Sequence, residues 1–289
     1  FEKHLLIHKT EQNSTLYNEL LKKVDRTMYL NDINNFDKNI EILLEENYDI
    51  VVYPSIGMDC MSNLFAHCRL APIQITTWGH SITSGIDTID YYISSSLYEL
   101  PYKQSQEFYS EKLILLKNMT TYYVDYMKLI KPTFKTREEL KLPKDKYIIC
   151  CMQNIVKINK EFIYMLLQII TKLPNSIILF NKYNLKEDKI NKIQKILNNK
   201  AIFLDNLPVI EFNSYINCSD ILLEPYPFGG CNTSLEAFSK GKIIITRPSR
   251  FLPGRFTLGF YKKLGITEPI VKTYNEFIEK TVYYLTHKK

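Results

Sequence analysis

Asp220-Ile-Leu-Leu-Glu-Pro-Tyr-Pro-Phe-Gly-Gly-Cys-Asn-Thr-Ser-Leu-Glu-Ala-Phe-Ser-Lys-Gly241 is the stretch that decides the fold class. Its opening run, 220 to 223, is short, apolar after Asp220 and followed by Glu224-Pro225, which reads as a buried strand. Gly229 and Gly230 come next. Without a Cβ they accept unusual backbone angles and let a ligand approach the main chain. A short helix then runs to Lys240 and stops at Gly241. Strand, glycine turn and helix form the repeating unit of α/β proteins, which bind ligands at such turns.

Two readings of the turn stand side by side. In the first, backbone N–H groups at the helix start point outward and cradle a phosphate, with Asn232, Thr233 and Ser234 adding side-chain donors. In the second, Thr233-Ser-Leu-Glu236 is a capping box and Glu236 merely closes the helix end. A carboxylate at Glu236 can also hold two ribose hydroxyls.

The same grammar extends in both directions. Further strands are expected at Tyr147 to Met152, Ser176 to Phe180, Ala201 to Leu204 and Lys242 to Thr246, with helices at Lys160 to Lys172 and Lys186 to Asn198. The first half reads likewise, with strands at Lys3 to His8, Asp49 to Pro54, Pro72 to Thr77, Tyr91 to Ser94 and Lys112 to Leu116. A helix over Ile33 to Glu46 places Ile33, Phe36, Ile40, Leu43 and Leu44 on one face. The polar stretch Tyr122 to Lys146, with Pro132 and Pro143, reads as a crossing. The expected organisation is an N-terminal domain over 1–125, a linker over 126–146 and a C-terminal domain over 147–289, two parallel-sheet units facing across a cleft.

Composition narrows the class. The 289 residues are 45% hydrophobic and 24% charged, which suits two folded cores and not a disordered chain. The net charge of +6 is spread over scattered lysines without a dense basic run, so no nucleic-acid partner is expected. No apolar run approaches the roughly 20 residues of a membrane span. The cysteines, at 60, 68, 150, 151, 218 and 231, lack zinc-site spacing, so no metal is expected. Unpaired cysteines point to a reducing compartment, the cytoplasm (the host's, for a viral source).

Two more places attract chemistry. The strand Tyr147 to Met152 runs into Gln153-Asn-Ile-Val-Lys157, so polar residues begin where the strand should end. A fixed lysine there can neutralise a departing diphosphate without a metal; the alternative is an ordinary surface lysine. In the first half, Trp78, Gly79 and His80 fall together after a strand. Trp78 can stack on a sugar face, and His80 can bond a hydroxyl or accept its proton. A structural histidine is the plainer reading.

Several blocks in register resemble one known family. These are YPSIGM (53–58), RLAPIQITTWGHSITSGIDTIDYYISS (69–95), YSEKLILL (109–116), PFGGCNTSLEAFSKGKIIITRP (227–248) and GRFTLGFYKKLGI (254–266). They are similar to family 41 of the glycosyltransferases, which includes the O-linked N-acetylglucosamine transferases and bacterial adhesin glucosyltransferases. The resemblance implies a GT-B fold of two Rossmann-like domains. It also implies inverting, metal-independent transfer from a nucleotide sugar, UDP-GlcNAc or UDP-glucose, with no cofactor. Carried onto this chain, Lys157 contacts the donor diphosphate and Gln153 and Asn154 are its polar neighbours. Asn232 and Thr233 form the phosphate-binding helix start, and Glu236 binds the ribose. Leu207 lies where backbone faces the base, and Trp78, Gly79 and His80 form the sugar-proximal loop.

The chain departs from the family in places. Ser81 stands where the family often has proline, and Cys231-Asn-Thr replaces His-Thr-Thr, which is closer to the bacterial-type members. The resemblance begins after the family's first strand–helix unit, which carries a histidine many members use, and no tetratricopeptide repeats are seen. The expected acceptor is a protein side chain. A glycan or small-molecule acceptor, an inactive sugar-nucleotide-binding module and a nucleotide-sugar epimerase are the rival readings.

Overall fold

The computed structural model describes residues 2–7, 15–30, 35–120, 123, 132–183 and 185–287. The chain divides into two compact units, Phe1–Ser94 with Lys103–Leu115, and Ser95–Tyr102 with Leu116–Lys289.

The first unit runs β1 (His4–Ile7), α1 (Thr15–Leu21), β2 (Arg26–Tyr29), α2 (Phe36–Glu45), β3 (Ile50–Tyr53), α3 (Cys60–Ala66), β4 (Ile73–Thr77), β5 (Tyr91–Ser95), α4 (Tyr102–Gln106) and β6 (Lys112–Leu116). β1 and β2 form a parallel pair, and the other strands form a sheet in the order β3-β4-β5-β6. Parallel pairing sets Ile50 beside Ile73 and Ile75 beside Tyr91. Leu43 from α2, Phe65 and Ala66 from α3, and Tyr53 from β3 share one core. Buried Gln74 crosses β4 fully bonded: its Oε1 accepts from Leu70 N–H at 2.8 Å and its Nε2 donates to Thr88 O at 2.9 Å, as a buried amide requires.

The second unit runs β7 (Tyr147–Asn154), α5 (Lys160–Lys172), β8 (Ser176–Asn181), α6 (Glu187–Ile196), β9 (Ala201–Leu204), α7 (Val209–Cys218), β10 (Ile221–Leu223), α8 (Asn232–Phe238), β11 (Ile244–Ile245), α9 (Phe256–Leu264) and α10 (Tyr274–Thr286). Its parallel sheet has the order β11-β10-β7-β8-β9. Counted within the unit this is 3-2-1-4-5, the Rossmann order.

Alternation along β7 explains why both sheet faces are covered. Ile149 and Cys151 join one core with Phe162, Leu166 and Ile169 of α5 and Phe277 of α10. Ile148, Cys150 and Met152 join the other with Tyr215 and Ile216 of α7 and Ala237 of α8. α5 starts where Asn159 Oδ1 accepts the Phe162 N–H at 2.9 Å, a side-chain N-cap.

Every strand expected from the sequence is present, with ends shifted by no more than about two residues. β7 runs on to Asn154 with a register shift after Cys151. The strand expected over 242–246 shortens to Ile244–Ile245, with Thr246 bridged to Ile270. β2 was not expected. His8 and Ile33, and the first part of the expected linker, 126–131, lie outside the described residues. Among the described residues, no helix is long and apolar enough to cross a membrane.

Residues 132–146 pack on the second unit. Leu140 and Leu142 are buried in its core. Arg137 pairs with Asp220 at 2.8 Å and donates to Cys218 O at 3.0 Å. Arg137→Ala is expected to cost about 1–3 kcal/mol, the value of hydrogen bonds to a charged group. A urea titration unchanged from wild type would show that this segment contributes nothing to the unit.

Candidate functional site

In a sheet of this order, the chain reverses direction between its first and fourth strands, here β7 and β10. The loops leaving their carboxyl ends must diverge and leave a crevice. Those loops carry Gln153 to Lys157 and Glu224 to Glu236.

Lys157 ends a 3-10 turn, Ile155–Lys157. Its Nζ donates to Gly229 O at 2.8 Å and to Gln153 Oε1 at 3.0 Å, and lies 4.0 Å from the Phe228 ring centroid. Burial pushes the ammonium below the ordinary lysine range, and the Glu224 charge opposes that shift. Lys157 is thus a positioned, partly desolvated cation and not a solvated surface lysine. Gln153 Nε2 donates to Thr233 Oγ1 at 2.6 Å, tying the end of β7 to the start of α8. Asn154 Oδ1 caps the 3-10 turn by accepting the Val156 N–H at 3.1 Å.

The glycine turn does not itself form the cradle expected of the helix start. Gly229 N–H donates to Pro253 O at 3.0 Å and Gly230 N–H to Glu224 Oε1 at 2.7 Å. Both donors face protein, so neither is aimed outward. The glycines are required for space. A Cβ on Gly229 would stand 2.5 Å from Glu224 Cδ, and one on Gly230 would stand 2.5 Å from Gln153 Nε2 and Ser234 Oγ.

The helix start departs from the capping box as well. α8 begins at Asn232 behind Cys231, with no side-chain cap hydrogen bond. Thr233 lies inside the first turn and its hydroxyl meets Gln153. Ser234 is turned inward, with its Oγ 2.9 Å from Thr257 Oγ1. Asn232 is exposed and Glu236 half-buried on the same short helix. Leu207 follows β9, two strands away from β7, and packs half-buried against the core.

Glu224 escaped the sequence reading. It is 4% exposed, and its carboxylate also accepts from Thr257 Oγ1 at 2.6 Å and from Thr246 Oγ1. Burial pushes this carboxyl above the usual range, while its hydrogen bonds and the Lys157 charge pull it back. An acidic residue ending an otherwise apolar strand, five residues before a glycine pair, was the available signal.

Trp78, Gly79 and His80 lie in the first unit, on the turn after β4. The turn after β3 packs against them. A Cβ on Gly57, whose φ is +82°, would fall 2.6 Å from His80 Cδ2, so the histidine ring rests on the glycine backbone. Tyr92 donates its hydroxyl to His80 O at 3.0 Å. Buried Glu111 holds the following loop, accepting from Thr83 Oγ1 and Ser84 N–H, each at 2.7 Å. Glu111 had no sequence signature.

Comparison with known proteins completes the picture. The model of glycosyl transferase family 41 matches residues 130–289. A UDP-glucose:protein N-beta-glucosyltransferase of Actinobacillus pleuropneumoniae serotype 5b is 26% identical over 251 residues, 84% of this chain and 39% of that protein. A probable UDP-N-acetylglucosamine–peptide N-acetylglucosaminyltransferase SPINDLY of Arabidopsis thaliana is 24% identical over 225 residues, 74% of this chain and 24% of that protein. The chain therefore spans well under half the length of these curated relatives. Among solved structures, an O-GlcNAc transferase mutant of Thermobaculum terrenum matches with a TM-score of 0.82 at 21% identity, over 99% of this chain and 54% of that one. WaaG, a glycosyltransferase of lipopolysaccharide biosynthesis, matches at 0.53 and 12%, over 98% and 90%. The shared fold is GT-B. A family match over more than half the chain, covering the Lys157 crevice and the whole Rossmann sheet around it, shows that the chain belongs to glycosyl transferase family 41.

Proposed function

We propose that this chain binds a UDP-sugar, UDP-GlcNAc or UDP-glucose, and transfers the sugar to a protein side chain with inversion and without a metal. The observation that carries the reading is Lys157, a desolvated cation docked on Gly229 O at the sheet's switch point. A bound diphosphate offers it better acceptors than a neutral carbonyl, because an ionised acceptor adds charge–charge attraction to the hydrogen bond. In the transfer step negative charge grows on the departing diphosphate, where a fixed cation stabilises it most. Asn232 and Thr233 add donors at the helix start, Gln153 and Asn154 line the approach, and the Gly229–Gly230 turn and Ser234 shape its floor. Glu236 binds the ribose and Leu207 presents backbone to the base. Trp78 and Gly79 contact the sugar, and His80 takes the acceptor proton.

The names of the relatives support UDP-sugar donors and protein acceptors. The cytoplasm is the proposed location and nucleic acid is not a proposed partner. The test begins with a melting-temperature panel of UDP, UDP-glucose and UDP-GlcNAc. A ligand that binds only the folded chain raises the transition by roughly 3 kcal/mol of stabilisation at a hundredfold excess over its Kd. Mass spectrometry of acceptor proteins then distinguishes an added hexose from an N-acetylhexosamine, and EDTA is expected to leave both results unchanged. No shift with any of the three ligands would overturn the reading.

A further inference from the structure

The peptide group between Gly229 and Gly230 is gripped at both polar ends. Its carbonyl accepts from Lys157 Nζ at 2.8 Å, and its N–H donates to Glu224 Oε1 at 2.7 Å. One amide thus stands in series between a cation and an anion. Each hydrogen bond polarises the amide in the sense that strengthens the other. The carboxylate is itself fixed, by Thr246 at the end of β11 and Thr257 in α9. No side chain can intervene, because a Cβ on Gly229 would strike the Glu224 carboxyl.

The other titratable groups facing this pair are Cys151 on β7, Cys231 ahead of α8 and Tyr261 on α9. Burial pushes all three upward, Cys231 to about 12. They stay neutral around neutral pH, and the three donors that converge on the two oxygens of Glu224 suit a carboxylate facing Lys157.

We propose that Glu224 is a positioning residue for donor binding, holding Lys157 in place and charged through the Gly229–Gly230 peptide. The proposal rests on the reading of Lys157 as the diphosphate contact. Glu224 is sealed beneath the turn and touches no ligand. It acts on the donor only through the amide it orients and the charge it sets against the lysine. Its neutral amide counterpart keeps the shape but removes the charge, so Lys157 gives up its proton at lower pH.

The test is UDP affinity by calorimetry from about pH 7 upward, towards the usual lysine value near 10.4. Wild type, Glu224→Gln and Thr257→Val are compared, each first shown by circular dichroism to be folded. Glu224→Gln is expected to weaken UDP binding about tenfold near neutrality and to move the alkaline loss of binding down by about one pH unit. Thr257→Val removes one donor from the carboxylate without touching the peptide; it is expected to move the loss the same way by less, and it carries the test if the glutamine variant does not fold. Variants that lose stability while UDP binding falls off at the wild-type pH would reduce Glu224 to a structural group and overturn the proposal. Wild type that binds no UDP at any pH would instead overturn the reading of the site.

Discussion

Lys157→Ala is expected to lower turnover by about 10²- to 10³-fold, the range for losing one preorganised stabiliser of developing charge, and to abolish the UDP-induced rise in melting temperature. The chain should still fold, because Lys157 is a half-buried loop-end residue whose protein partners, Gly229 O and Gln153, lie at a ligand-facing turn. The pattern of kinetic loss separates two roles. If Lys157 acts on the departing diphosphate, kcat and kcat/KM fall together. If it only holds the donor, KM rises and kcat is kept. Lys157→Arg is the informative control. It preserves charge at any accessible pH but replaces a point charge by a wide planar fork. The crevice floor, where the lysine tip fits between Phe228, Gln153 and Gly229, does not suit that fork, so most of the loss should remain. Unchanged turnover in the alanine variant would remove Lys157 from the mechanism.

Gly79→Ala is expected to be among the most damaging single-methyl additions in the first unit. The new Cβ would stand 1.8 Å from the carbonyl oxygen of Pro54. The oxygen is main chain and the Cβ is rigidly attached to main chain, just past the ends of β3 and β4, which are paired through Tyr53 and Thr76. Neither can rotate away, so the strand ends must separate. The cost should be about 2–4 kcal/mol, at or above the usual range for overpacking. Gly85→Ala makes the comparison, since Gly85 has φ +67° but nothing within 4 Å of an added Cβ. There only the left-handed backbone resists, at about 1–2 kcal/mol. Urea titrations should rank Gly79→Ala below Gly85→Ala. The reverse order would mean that the Pro54 turn does not lie against Gly79.

The fold was legible for a local reason. Alternation of apolar residues, glycine turns and caps depends on positions two to four residues apart, and the strands of both units were visible as such runs. β2 was not, because Arg26-Thr-Met-Tyr has little apolar pattern of its own and exists through pairing with β1. The expected linker was misleading over 132–146 for a related reason. Prolines and charges describe a surface segment, but Leu140 and Leu142 are enough to fasten it to a core.

The candidate site was legible only in part. Lys157 and the glycine turn could each be named, yet each had a plain alternative. The cradle was expected at the helix start; what turn chemistry did not show is that the two glycine N–H groups before it face inward, to Pro253 and Glu224. Glu111 had no signature and Glu224 only its place at the end of an apolar strand, because a buried carboxylate is recognised by the donors around it, and those come from distant segments.

By itself, then, the sequence determined the alternation of strands and helices, the two-unit organisation, the family and the turns at which chemistry sits. The tertiary structure alone decided that Gln153–Thr233 and Lys157–Gly229 contacts tie the segments after β7 and β10 across the crevice, and that Lys157 is desolvated there. It also decided which way the Gly229–Gly230 amide faces. Ile148 and Asp220 meet across 72 residues of chain. Such pairing is chosen by burying both faces of the sheet while satisfying nearly all buried polar groups at once, and no local window of sequence contains that condition.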